Sequence, residues 1–329
     1  ENRCGEKARA FRALYDDLMD NMRIPVNTAR GLRHLSVGQA LAVSVSSDAR
    51  VRERVFSNCM RELERYGVVF QHVLNAVIED TREEAASGGH DSSLDQAHCR
   101  NGLQGVVFEE MIGAVRSRSD LLERFIQTKS RMLEKPDMGY TDVYASPGDA
   151  VCSVTYTEAR DHVLSALNEV APRLSELAEE FFDRGRIDAE PRPGKRGGAF
   201  CKCFSPSHAP YISMEYMGGL GDYLTLAHEL GHGIHYRLAS GRNYLRFEPP
   251  PVLAETASMF VELLAAGHLR EKFRGTGREA LVLEREIRGM VVCVFRQSAY
   301  IAFERDMHAM RNSHPLSMKE ICDAWRTKN

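Results

Sequence analysis

Apolar residues recur at three- and four-residue spacing through most of the chain, the period of a helix with one buried stripe. Residues 6–21 carry Ala10, Phe11, Leu14, Leu18 and Met19 in that rhythm. Residues from about 50 to 80 continue it with Val55, Cys59, Leu63, Val69, Val73, Leu74 and Val77. The spacing predicts one helix over each range. Ser87-Gly-Gly-His-Asp-Ser-Ser93 is a polar, glycine-rich break that reads as a surface loop. Helical spacing resumes from about 104 to 134 and stops ahead of Pro136. A further helix begins at Thr155, which pairs with Glu158 in capping-box relation. Its stripe runs Val163, Leu164, Leu167, Leu174, Leu177 and Phe181, and Pro172 is expected to kink it.

After Arg186 the period changes. Residues 194–204 and 211–216 alternate as two short strands joined by a Ser/Pro/His turn. Gly218, Gly219 and Gly221 form a loop that lacks dinucleotide-binding spacing, and Asp222 is expected to cap the helix that follows. Further helices are predicted at about 252–268, 278–310 and 317–327. The expected architecture is mainly α with a small β-sheet, as a helical lobe over 1–150 continuous with a second lobe over 151–329.

Composition narrows the function classes. The 329 residues are 43% hydrophobic and 27% charged, ordinary for a soluble globular chain. A net charge of −3 gives no electrostatic argument for nucleic acid or an acidic membrane. No run is expected to reach the roughly 18 apolar residues that span a bilayer. The polar opening residues suggest no secretory signal. The scattered cysteines (4, 59, 99, 152, 201, 203, 293 and 322) suit buried free thiols in a reducing cytoplasm. The first residue is not Met and the last residues follow a helical pattern, so a piece of a longer protein is expected.

The chemistry concentrates in Thr225-Leu-Ala-His228-Glu229-Leu-Gly-His232-Gly-Ile-His235. Imidazoles four residues apart lie about 40° apart around a helix and one turn above each other, so both can reach one metal ion. The intervening Glu229 is the residue type that would deprotonate a metal-bound water. A chance match is expected at roughly 0.03 per chain. A catalytic zinc needs a third protein ligand. Glu255 stands in an apolar stretch after the triproline 249–251, where an unpaired carboxylate would be costly to bury, so a metal is a sensible partner. Glu262, seven residues on, and Ser258 are rival candidates for supporting a ligand histidine from behind. His235 continues the same face, where packing or hydrogen bonding is favoured over ligation. Cys201-Lys-Cys203 with His208 resembles a metal knuckle, but alternate strand positions simply share a face. His98-Cys99 has no base nearby in sequence, and Lys195-Arg196 reads as a solvated turn.

Together, Gly194-Lys-Arg-Gly-Gly-Ala-Phe-Cys201, Pro210-Tyr-Ile-Ser-Met-Glu-Tyr216, Thr225-Leu-Ala-His-Glu-Leu-Gly-His232 and Leu253-Ala-Glu-Thr-Ala-Ser258 resemble oligoendopeptidase F. That is the bacterial branch of the thimet oligopeptidase family of zinc metallopeptidases. Asp142-Val-Tyr-Ala145 and Phe295-Arg-Gln-Ser298 resemble flanking family segments. The resemblance implies a neurolysin-like helical fold with one zinc at the floor of a channel, held by His228, His232 and Glu255, with Glu229 as general base. It implies short unstructured peptides as substrates, hydrolysed at internal bonds, with Ala199, Phe200 and Tyr211 lining the channel. The family's His/Tyr-rich C-terminal segment, which binds substrate and stabilises the oxyanion, has no match here. Tyr300 and His308 do not fit it. Completion by a C-terminal segment or another chain is therefore expected. The alternatives are a truncated, weakly active or inactive peptide-binding relic, and an exopeptidase with the same zinc motif.

Overall fold

The computed structural model describes residues 6–28, 31–43, 46, 48–145, 147, 153–192, 195 and 198–328. The chain divides into two compact units, residues 1–148 with 288–329, and residues 149–287. A boundary near 150 thus has a second one near 287 beside it.

The first unit opens with helix α1 (Glu6–Asn21) and an antiparallel strand pair, β1 (Ile24–Thr28) with β2 (Gly31–Leu35). Helices α2 (Val37–Val43), α3 (Ala49–Arg65), α4 (Gly67–Ser87), α5 (Ser93–Asn101), α6 (Gly105–Arg116) and α7 (Ser119–Met132) follow. The single helix expected over 50–80 is therefore two. The break falls at Tyr66 (φ −104°, ψ 9°), ahead of Gly67, a poor helix former, while the apolar stripe runs on across it. The range 104–134 is likewise split at Ser117 and Arg118. The β1–β2 pair was not predicted. Met22, Ile24, Val26, Val55 and Cys59 close one core of this unit.

The second unit contains α8 (Tyr156–Val170), α9 (Pro172–Asp183), β3 (Ile187–Asp188), β4 (Phe200–Lys202), β5 (Tyr211–Ser213), α10 (Leu220–Ala239) and α11 (Pro251–Lys272). The Thr155–Glu158 capping box starts α8, with Glu158 N to Thr155 Oγ1 at 3.2 Å and Thr155 N to Glu158 Oε2 at 2.8 Å. Pro172 starts a helix rather than kinking one. Ala171 before it is extended (φ −157°, ψ 114°), the conformation that a following proline favours, and Pro172 takes the first position of α9. The three-stranded sheet has the order β3-β5-β4, with β5 parallel to β3 and antiparallel to β4. The two-residue β3 was too short to show a period. Val163, Leu167, Leu177, Phe181, Ile212, Met214, Leu226, Leu230 and Leu269 form one continuous core under this sheet and α8–α11.

Lys195 is not a solvated turn residue. Its side chain is 3% exposed, and Nζ donates to Asp188 Oδ1 at 3.1 Å and to the carbonyls of Asp188 and Glu190. Arg196, Cys4 and Cys152 lie outside the described residues. Of the other cysteines, Cys59 and Cys203 are buried, while Cys99 and Cys293 are exposed, against the expectation of burial. The chain ends in α12 (Gly277–Val291), α13 (Gln297–Arg311) and α14 (Met318–Lys328), with a π-helical turn at Val292–Arg296 interrupting the helix expected over 278–310.

By length and composition, α11 is apolar enough to cross a membrane, with a mean hydropathy of 1.3 over its best window. This departs from the expectation that no such run exists. Its buried face, Val261, Ala265, Ala266 and Leu269, belongs to the unit's core.

Candidate metal and catalytic site

The site is carried by α10 and α11. Gly218, at φ +89°, turns the chain into α10 in a conformation that favours glycine. Asp222 does not cap α10 as its first flanking residue. Gly219 takes that place, and Asp222, three residues in, reaches back to accept from Gly219 N at 3.0 Å and Met217 N at 2.9 Å. Two free backbone donors at the helix start are thereby satisfied.

Two glycines inside α10 set how closely its neighbours approach. A Cβ on Gly231 would lie 2.6 Å from Ser258 Cα and 2.7 Å from the Ala257 carbonyl oxygen. On Gly233 it would lie 2.5 Å from the Phe181 ring. Glycine is disfavoured in a helix interior, so a pair of them there was a readable sign of close packing. That contact brings the middle of α11 against the motif.

His228, His232 and Glu255 then converge. Their donor atoms lie within 4.8 Å of one another, and this is the one such group among the described residues. His228 Nε2 is 3.2 Å and His232 Nε2 3.6 Å from Glu255 Oε2. The Glu255 side chain is 59% exposed, so the argument from its burial does not hold; what places it at the site is its proximity to both imidazoles. Behind these atoms, Glu262 Oε2 lies 3.0 Å from His228 Nδ1. Ser258, fully buried, donates to Glu255 Oε2 at 2.9 Å and to the Glu255 carbonyl. The two rivals thus occupy different places, one behind a histidine and one behind the carboxylate. His235 is half-buried and outside the donor group.

Glu229 differs from the other carboxylates. It is 6% exposed, and its Oε2 has no hydrogen-bond partner. Burial pushes its pKa up; His228 opposes this and Glu255 adds to it, while the Cys201 backbone holds the charged form in part. Burial works against a charge on His228 too, but the Glu262 hydrogen bond and the surrounding carboxylates outweigh it and raise its pKa. For His232, burial wins over Glu255 and lowers it.

The sheet borders α10. Phe200 and Tyr211 are exposed, Ala199 is half-buried, and β4 is an edge strand among the described residues. The Arg186 guanidinium stacks on the Tyr211 ring at 5.3 Å. The cysteine knuckle is not assembled. Cys203 Sγ donates to the carbonyls of His208 (3.1 Å) and Ser205 (3.4 Å), and burial pushes the Cys201 thiol far up.

The donor set suits zinc. Ligands about 2.0–2.2 Å from a tetrahedral ion lie roughly 3–3.6 Å from one another, and the two histidine-to-Glu255 separations match this. The Nδ1 contact to Glu262 leaves His228 Nε2 free to coordinate. The partnerless Glu229 oxygen awaits a polar group.

A mainly helical unit that brings two histidines and a glutamate together presents a candidate metal site. Comparison with known proteins gives the family: the chain matches Peptidase family M3 over residues 161–329, and it belongs to that family. It is 23% identical to oligopeptidase PepF of Bacillus subtilis over 300 residues, covering 90% of this chain and 45% of that protein. It is 25% identical to the chromosomal oligoendopeptidase F of Lactococcus lactis subsp. cremoris over 275 residues, covering 83% and 46%. The solved oligoendopeptidase-F of Enterococcus faecium has the same fold, with a TM-score of 0.68 at 21% identity over 99% of this chain and 53% of that one. The chain spans about half the length of the curated relatives it matches.

Proposed function

We propose that the protein acts as a zinc-dependent endopeptidase on internal bonds of short oligopeptides. The observation that carries this reading is the buried, half-unpartnered Glu229 carboxylate beside two imidazoles and a third donor. His228, His232 and Glu255 would hold one zinc, which when bound supplies Lewis acidity to the scissile carbonyl and to the attacking water. Glu229 takes the proton from that water and passes it to the leaving amine, and its raised pKa suits both tasks. Glu262 fixes the His228 tautomer, and Ser258 holds the Glu255 carboxylate. The exposed edge of β4 can pair with an extended peptide, with Ala199, Phe200 and Tyr211 alongside. In this reading neither nucleic acid nor a membrane enters the function, and its setting is the cytoplasm.

A quenched peptide blocked at both ends tests the reading. Internal cleavage that requires zinc and falls by about 10²–10⁴-fold in Glu229→Gln is the expected result. Binding without cleavage by the unmodified chain would assign a peptide-binding relic instead. Cleavage of unblocked peptides alone would assign an exopeptidase.

A further inference from the structure

The second unit contains another imidazole pair. His162 on α8 and His268 on α11 have ring centroids 5.7 Å apart, tilted by 48°. The His268 side chain is 10% exposed, and its Nδ1 is 3.1 Å from Glu169 Oε1. Its Nε2 is buried without a hydrogen-bond partner, and so is His162 Nδ1. Two adjacent imidazoles each bury a ring nitrogen that no protein group satisfies, a cost that a bound ligand would relieve.

The arrangement repeats half of the candidate catalytic centre. There, Glu262 takes His228 Nδ1 and leaves Nε2 for coordination, with the His232 ring 5.0 Å away. Here, Glu169 takes His268 Nδ1 and leaves Nε2. A metal about 2.0–2.1 Å from each of two ring nitrogens sets their centroids roughly 5–6.5 Å apart between tetrahedral and linear geometry. Both pairs fall in that range.

We infer that His162 and His268 form a second metal site, for an imidazole-seeking divalent cation such as zinc, with Glu169 orienting His268. Burial, followed by Lys272 and His268, lowers the His162 pKa against Glu158 and Asp161, which favours the neutral ring that a metal requires. Lys272 faces the pair, as do the carboxylates of Glu158, Asp161 and Glu169. The Tyr223 ring meets His162 edge-on at 6.4 Å and limits its movement. A cavity of about 480 Å³ lined by Glu169, His268 and Lys272 adjoins the His268 side of the pair.

Zinc titration of the metal-stripped chain tests this. Two equivalents are expected for the unmodified protein. One is expected for His162→Phe, and one for the double variant His228→Ala/His232→Ala, which isolates the second site. Glu169→Gln, at a side chain 65% exposed, reports even where His162→Phe fails to fold. It is expected to weaken one equivalent by about 10–100-fold. No zinc bound by the double variant, or binding there that Glu169→Gln leaves unchanged, overturns the inference. Failure of the His228 and His232 site instead shows as an unmodified protein that loses nothing in the double variant.

Discussion

Asp142 in the first unit and Glu229 in the second are both buried carboxylates, and the two are treated in opposite ways. In the first, Asp142 is fully buried between Arg52 and Lys135; Lys135 Nζ lies 2.7 Å from Oδ2, and Gly139 N donates to it at 2.8 Å. Burial alone would raise its pKa, but these partners outweigh it and hold it below the ordinary value. In the second, Glu229 keeps an oxygen without a partner, and burial prevails. A buried charge whose partners are all present is tolerated by a fold, and removing it leaves those partners unpaired. One left partly unpaired is costly to it, and that cost is intelligible where the group must exchange a proton.

The sharpest way to break this contrast is Glu229→Gln. Hydrolysis of the blocked peptide should fall by about 10²–10⁴-fold, with zinc content and the unfolding midpoint maintained. A loss of stability instead would make Glu229 a structural residue like Asp142. Asp142→Ala should cost about 3–5 kcal/mol in urea unfolding, because it strips the carboxylate from two buried or half-buried cations. The same pair predicts acid sensitivity. Asp142 has a lowered folded pKa, so its contribution is fully present above the unfolded value near 3.8 and is lost as pH falls through the lower folded value. Asp142→Asn should flatten the dependence of unfolding on pH in that range. Glu262→Gln sits between the extremes and should weaken zinc by about 10–100-fold without unfolding the chain. Ser258→Ala removes a neutral donor from Glu255 and should have the smallest effect, about 1 kcal/mol in zinc affinity measured by chelator competition.

What the sequence disclosed follows the range over which each signal acts. The Thr155–Glu158 cap and the His228–Glu229–His232 spacing are set within one helical turn, so both were legible. The separation of α8 from α9 was misread because Pro172 can bend a helix or begin one, and only the extended Ala171 decides. Asp222 was assigned the wrong place in the right cap, since glycine can occupy the capping position and leave aspartate to reach back. Glu255 was reached through an argument about burial that its 59% exposure removes; the distances to two imidazoles now carry it. The division of labour between Glu262 and Ser258 depends on which face of α11 meets α10, and nothing in the spacing alone fixed that.

The contact between Gly231 and the Ala257–Ser258 backbone bears on how this site can vary. The close fit of the two helices at Gly231 bears directly on the position of Glu255, two residues before Ala257. A Cβ at Gly241, early in the segment connecting α10 to α11, would meet no atom within 4 Å. A short insertion after Gly241 is expected to leave zinc affinity unchanged, which would make the connection a place to attach a reporter or a new recognition loop.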